Sequence, residues 1–264
     1  MPASLDITIE RRVARVALNR PDVHNAFDDR LIAELTKALH SIDGDGQVHA
    51  VVLTGNGASF SAGADLNWMR GMAKASEAEN RADSERLAAL MRTLNFLSKP
   101  TVARVNGAAY GGGVGLVTCC DIVIAADTAK FGLTEVKLGL VPAVISPYVV
   151  GAIGLRHARR LFVTGEIFDA AEAARIGLVH QITAVDKLDE ATQRALGFLA
   201  KGGPIAQREA KHLALRIGGT TPEDAQRIDV QNARLIARLR VSDEGQEGIG
   251  AFLDKRAANW IESN

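Results

Sequence analysis

Two stretches of small residues hold the clearest chemistry in this chain: Phe60-Ser61-Ala62-Gly63-Ala64-Asp65-Leu66 and, further along, Gly111-Gly112-Gly113. Each follows a short apolar run and opens a helical pattern. Without bulky side chains, a ligand oxygen can approach the backbone closely. The free N–H groups of a helix's first turn then point at it, with the helix dipole adding to their pull. Two such donors converging on one carbonyl oxygen form an oxyanion hole. That arrangement stabilises an enolate and directs attention to thioesters and related acyl compounds.

The elements that must hold these stretches alternate along the chain. Leu5-Asp6-Ile7-Thr8-Ile9 and Val13-Ala14-Arg15-Val16-Ala17-Leu18 alternate at period two and read as a hairpin. Asn25 reads as the N-cap of a helix carrying Phe27, Leu31, Leu35 and Leu39, closed by Gly44 and Gly46. Ala50 to Gly55 is a buried strand ending in a glycine turn. Leu87, Leu90, Met91, Leu94 and Leu97 mark a helix face that stops before Pro100. Thr101 to Val105 is the next strand, the glycine triplet turns, and Gly113 to Cys120 reads as helical. Asp121 to Ala125 and Lys130 to Gly132 supply further short strands. Asp169-Ala170-Ala171-Glu172 caps a short helix ending at Gly177, and Thr221-Pro222 and Ser242 open two amphipathic helices. The class is α/β, with a spiral core over residues 1–190 and a helical region over 191–264.

Composition narrows the function classes. The 264 residues suffice for one large domain or a core with an appendage. Lys+Arg 31 against Asp+Glu 31 leaves no net charge, so no general attraction draws the chain to nucleic acid or anionic lipid. No apolar run reaches the roughly 18 residues of a membrane span. Met1 to Asp6 has neither a charged nor an apolar leader region, and a cytoplasmic protein is the expectation. The adjacent Cys119 and Cys120 read as reduced core residues. The six histidines are scattered, and no cluster has metal-ligand spacing.

Five segments in order resemble the enoyl-CoA hydratase/isomerase (crotonase) superfamily. They are Leu18 to Ala26, Phe60 to Leu66, Asn106 to Gly113 with Cys120-Asp121, Phe131 to Gly139, and Phe252 to Arg256. The resemblance implies a ClpP-like spiral of repeated β-β-α units and a C-terminal helical trimerisation region, giving a trimer or a dimer of trimers. It implies an acyl-CoA substrate, with coenzyme A as part of that substrate and no separate cofactor or metal. The backbone N–H groups of Ala64 and Gly112 then hold the thioester oxygen, and Glu135 is the acid/base. Ala62, Gly63, Asp65, Leu66, Trp68, Gly111, Gly113 and Pro142 are implied contacts. Arg20 and Lys255 are the positional matches for the CoA phosphates, and Phe252 for the neighbourhood of the adenine.

One position departs from the family pattern. Many family hydratases carry a second glutamate two residues after the glycine triplet, where this chain has Gly115. Either Glu135 carries out both proton transfers of a hydration or another polar group positions the water. A Δ3,Δ2-enoyl-CoA isomerase needs only one carboxyl, and a crotonase-like protein that binds CoA esters without catalysis is a third reading. The segments 61–70 and 142–148 resemble the bacterial methylglutaconyl-CoA and isohexenylglutaconyl-CoA hydratases, of leucine and acyclic terpene breakdown. Their substrates are branched at C3 and carry a second carboxylate. That group needs a cationic or hydrogen-bonding partner, for which Arg70, Lys137, Ser146 and Tyr148 are candidates.

Overall fold

The computed structural model describes residues 3–261, so Met1 and Pro2, where the amino-terminal reading starts, lie outside the described residues. Strands β1 (Leu5–Glu10) and β2 (Val13–Leu18) form the expected antiparallel hairpin, with Leu5 opposite Leu18. Arg11 and Arg12 make its turn at φ of 48° and 67°. Helix α1 (Asp29–Gly44) follows. Its N-cap is Asp28, whose carboxylate accepts from the Leu31 N–H, rather than Asn25. Asn25 is instead a buried latch. Its amide accepts from the Arg20 N–H and donates to the Asn56 and Ser59 carbonyls. A primary amide has both donors and an acceptor, and this position uses both kinds.

The chain then repeats a pattern of two strands and a helical return. β3 (Ala50–Gly55) runs into β4 (Ser59–Ser61), then α2 (Leu66–Lys74) and α3 (Glu77–Asn95). β5 (Thr101–Val105) runs into β6 (Ala108–Tyr110) and α4 (Gly112–Thr118). β7 (Ile122–Ala126) runs into β8 (Lys130–Gly132), a 3-10 turn at Glu135–Leu138, and α5 (Ser146–Thr164). β9 (Ile167–Asp169), α6 (Ala170–Arg175) and β10 (Gln181–Thr183) close this part. Helices α7 (Leu188–Leu199), α8 (Pro204–Ile217), α9 (Pro222–Arg240) and α10 (Asp243–Leu253) complete the chain, with Thr221 and Ser242 as the expected caps of the last two.

One sheet has the order β1-β2-β3-β5-β7-β10, parallel from β2 onwards, and the other has the order β4-β6-β8-β9. This is the spiral of repeated β-β-α units that the resemblance implies. Fully buried Phe27, Phe60 and Phe131 join Leu31, Leu35, Leu90, Met91 and Leu94 in the main core. A second cluster joins Val52, Val102 and Ile124 to Leu188 and Ala191 of α7. Residue 190 therefore falls inside a helix that packs on β5 and β7. Helix α9 lies along α3, tied by the Arg92–Asp229 ion pair, so the helical region is joined to the walls of the site.

Candidate active site

The chain from Gly63 to Asp65 is held against Phe27 by a parallel bridge. The Phe27 N–H donates to the Gly63 carbonyl at 2.6 Å, and the Asp65 N–H donates to the Phe27 carbonyl at 2.8 Å. Strand geometry alternates the direction of successive backbone groups. The Ala64 N–H therefore turns away from Phe27, and no described residue accepts it. The source of this donor differs from the expectation. Asp65 caps α2 by accepting from the Asn67 and Trp68 N–H groups, so its side chain takes up the helix's leading donors. The free N–H comes from the bridge, one residue ahead of the cap. Arg20 braces the arrangement, with Nη2 at 2.9 Å from carboxylate oxygens of both Asp28 and Asp65 and Nη1 donating to the Ala26 carbonyl.

The second donor arises where β6 turns into α4. Gly111 has φ of 49°, a value that favours glycine, and its N–H donates to the Gly132 carbonyl of β8. Gly112 is then the first residue of α4, and its N–H has no acceptor among the described residues. Ala64 and Gly112 line the same cavity, of about 180 Å³. Phe27 lies beneath them, its ring 2.8 Å from where a Gly112 Cβ would stand.

Glu135 opens the 3-10 turn after β8 and projects over Gly111, where a Cβ would sit 3.1 Å from Oε1. Its Oε2 atom is buried without a hydrogen-bond partner among the described residues. Burial disfavours the charged form and pushes its pKa up from 4.5 to about 7. A surface ion pair is not its role. Lys137 is exposed, and Arg104 is paired with Asp189. Most of the remaining wall is apolar, including Met69, Met72, Leu87, Leu140, Val144, Ile145 and Ile236. A carboxyl near neutral pKa, two unused backbone donors and an apolar chamber can together hold an enolate oxygen and move a proton at the adjacent carbon.

A family model described as enoyl-CoA hydratase/isomerase matches residues 8–263. The chain belongs to that family. An enoyl-CoA hydratase from Shewanella pealeana of known crystal structure is 44% identical, with a TM-score of 0.80 and coverage of 97% of this chain and 96% of that one. One from Mycobacterium avium is 34% identical at a TM-score of 0.87, covering 99% and 100%. The 2,3-dehydroadipyl-CoA hydratase of Escherichia coli is 33% identical, covering 98% of each chain.

Within this enoyl-CoA hydratase/isomerase site, Ala62, Gly63, Ala64, Trp68, Gly111, Gly112, Glu135, Pro142 and Phe252 all line the cavity. Arg20, Asp65, Leu66, Gly113 and Lys255 do not. Arg20 and Asp65 serve the loop described above, and Gly113 faces β4, where a Cβ would stand 2.7 Å from the Ser61 carbonyl. Leu66 and Lys255 are exposed. The candidate partners for a distal carboxylate also fall elsewhere. Arg70 donates to Asn67 on the surface, Lys137 is exposed, and Ser146 bonds the Ala143 carbonyl. Tyr148 is buried with its hydroxyl unpartnered among the described residues, outside this cavity.

Gly115 faces a filled wall. A Cβ there would lie 2.3 Å from Ile145 Cγ2 and 3.1 Å from Met91 Cε. Sequence reasoning missed Arg240, a mostly buried cation on the cavity wall whose guanidinium stands 5.4 Å from the Trp68 ring centroid. Its signal was present in α9. Ala233, Ile236 and Ala237 form a buried stripe, and Arg240 stands at the next position on the same face.

Proposed function

We propose that this enzyme of the enoyl-CoA hydratase type adds water across the C2–C3 double bond of a 3-branched, unsaturated dicarboxylic acyl-CoA of the 3-methylglutaconyl kind. Such a substrate belongs to leucine or acyclic terpene breakdown. The observation that carries the hydratase reading is Glu135: one buried carboxyl with an unpartnered oxygen, beside the unused N–H groups of Ala64 and Gly112. In the reaction, Glu135 takes a proton from water as the water oxygen bonds to C3. The electron pair of the C2–C3 double bond shifts to form a C1–C2 double bond, and the carbonyl pair moves onto the thioester oxygen, held by the two N–H groups. Glu135 then returns its proton to C2, and the thioester carbonyl re-forms. Each oxyanion donor contributes about 100- to 1000-fold in rate.

Two observations support the dicarboxylic class: the resemblance over residues 61–70 and 142–148, and a family relative whose name gives dehydroadipyl-CoA, a dicarboxylic acyl thioester, as its substrate. Self-association as a trimer or a dimer of trimers belongs to the same reading. It is supported by α8, which buries none of its own residues and exposes Ile205 and Ile217. The single carboxyl also favours a second reading. A Δ3,Δ2-enoyl-CoA isomerase needs one base to remove a proton and return it elsewhere, and the filled space at Gly115 leaves no room for a second glutamate.

Mass spectrometry of the protein with 3-methylglutaconyl-CoA, crotonyl-CoA and a 3-enoyl-CoA, together with the ultraviolet absorbance of the conjugated enoyl thioester, separates these readings. Gain of one water, greatest on the branched diacid ester, is the expected result. Migration of the double bond without water gain would establish the isomerase. Binding without any turnover would leave a CoA-ester-binding protein.

A further inference from the structure

We propose that Arg240 is the receptor for the substrate's distal carboxylate, with the indole N–H of Trp68 as a second donor. The inference rests on the dicarboxylic reading above and gives it a residue. Arg240 ends α9 and lines the same cavity as Glu135. Only one guanidinium nitrogen is in use: Nη1 reaches Asp83 Oδ2 and Asn80 Oδ1, each at 3.3 Å. Nε and Nη2 have no acceptor among the described residues. Trp68 Nε1 is buried on the same wall and is likewise without a partner. A buried donor left unpaired is costly, and a carboxylate with two oxygens satisfies a guanidinium edge in a planar, two-bond geometry.

Charge counting points the same way. Asp83 is almost completely buried and accepts from two cations, Arg86 through Oδ1 at 3.1 Å and Arg240 through Oδ2. Two guanidinium groups share one carboxylate, which leaves the cluster one positive charge in excess. A second carboxylate at Arg240 makes it neutral. A monocarboxylic acyl chain ending here would bury an apolar terminus against the guanidinium donors that lack an acceptor, which disfavours it. Arg240 therefore selects for diacids by attraction and against simple acyl chains by desolvation. Its guanidinium carbon stands 5.4 Å from the Trp68 ring centroid, within cation–π range, which keeps the cation beside the indole.

Binding of unreactive saturated thioesters tests this without involving the chemistry. Glutaryl-CoA and butyryl-CoA, titrated calorimetrically into the unaltered protein, differ in the carboxylate. The expected result is about 10- to 100-fold tighter binding of glutaryl-CoA, the range of a charge-assisted hydrogen-bonded pair. In Arg240→Met that ratio falls towards one, Arg240→Lys keeps part of it, and Trp68→Phe reduces it several-fold while retaining an aromatic ring. An equal affinity of the unaltered protein for both thioesters overturns the proposal, and this holds even where Arg240→Met fails to fold. So does a ratio that Arg240→Met leaves unchanged. Water gain on crotonyl-CoA with no preference for glutaryl-CoA refutes the receptor alone. A glutaryl-CoA preference without water gain on any enoyl-CoA refutes the hydratase alone.

Discussion

Replacing Glu135 by glutamine makes the protein more stable at alkaline pH, and by an amount the structure sets. The carboxyl's pKa rises from 4.5 to about 7 because burial disfavours its charge. At about 1.4 kcal/mol for each pH unit, that difference corresponds to about 3 kcal/mol. The sign follows from proton linkage. Between these two values the folded state binds more protons than the unfolded one, so stability is fully present below 4.5 and is lost as pH rises through 7. A glutamine at this position keeps the shape and carries no charge. Urea unfolding of both proteins at pH 5 and pH 8 is therefore expected to show the Glu135→Gln variant gaining about 2 to 3 kcal/mol on the parent across that interval. In the proposed mechanism the same group acts as a base towards water and must be ionised, so kcat/KM is expected to rise with pH through a midpoint near 7 and then level. A stability difference that stays flat from pH 5 to pH 8 would show that Glu135 is not a desolvated, titrating carboxyl. A kcat/KM that falls over the same range would show that it acts first as an acid.

Arg20→Met leaves the buried Asp65 carboxylate short of a partner and is expected to cost about 2 to 3 kcal/mol of stability, with kcat reduced and KM little changed. A large rise in KM at unchanged kcat would instead make Arg20 a contact for the CoA phosphates. Gly115→Glu is expected to lower the melting temperature without raising the hydration rate, because its Cβ would stand 2.3 Å from an Ile145 methyl in a packed wall; a folded, faster variant would refute that wall. Gly248→Ala places a Cβ 2.3 Å from the backbone carbon of Leu138, so the turn that begins at Glu135 has to shift. Steady-state kinetics should show kcat down about 10- to 100-fold with KM nearly constant, the signature of a displaced catalytic group.

The fold was legible where periodicity runs long enough to count. The hairpin, β3, β5 and the α3 face are of this kind, and so are the Thr221 and Ser242 caps, where hydroxyl side chains precede amphipathic runs. In the second sheet β8 was read at Lys130 to Gly132, but β4 and β6, of three residues each, are too short for periodicity to count, so the sheet as a whole was not readable. Asn25 and Asp28 are both good capping types by sequence alone. Only the tertiary position of Asn56 and Ser59 makes Asn25 a latch and leaves the cap to Asp28. Within the site, Ala64, Gly112 and Glu135 were nameable through the family resemblance, which is carried by compact local motifs. The roles of Arg20 and Arg240 were not, because an arginine's role depends on distant partners: Asp65 for the first, Asp83 and Trp68 for the second.

In the proposed mechanism the oxyanion donors are main-chain groups, and this makes the site's chemistry a property of strand register. Ala64 offers its N–H because its neighbours, Gly63 and Asp65, are the residues bonded to Phe27. A slip of one residue would turn that N–H onto Phe27 and present another in its place. The pairing is fixed from both sides: Asn25 pins the chain ahead of Phe27, and Arg20 joins Asp28 after Phe27 to Asp65 after Ala64. Gly112 depends in the same way on the bond from Gly111 to Gly132, which sets where β6 ends and α4 begins. Glu135 then follows three residues after Gly132, at the start of the 3-10 turn that leaves the strand receiving that bond. Donor and acid/base are thereby referred to one ladder, β6 on β8, and errors in either strand move both together. A side-chain substitution at Ala64 or Gly112 that leaves the backbone N–H in place removes no donor, but a substitution that alters the register removes the site.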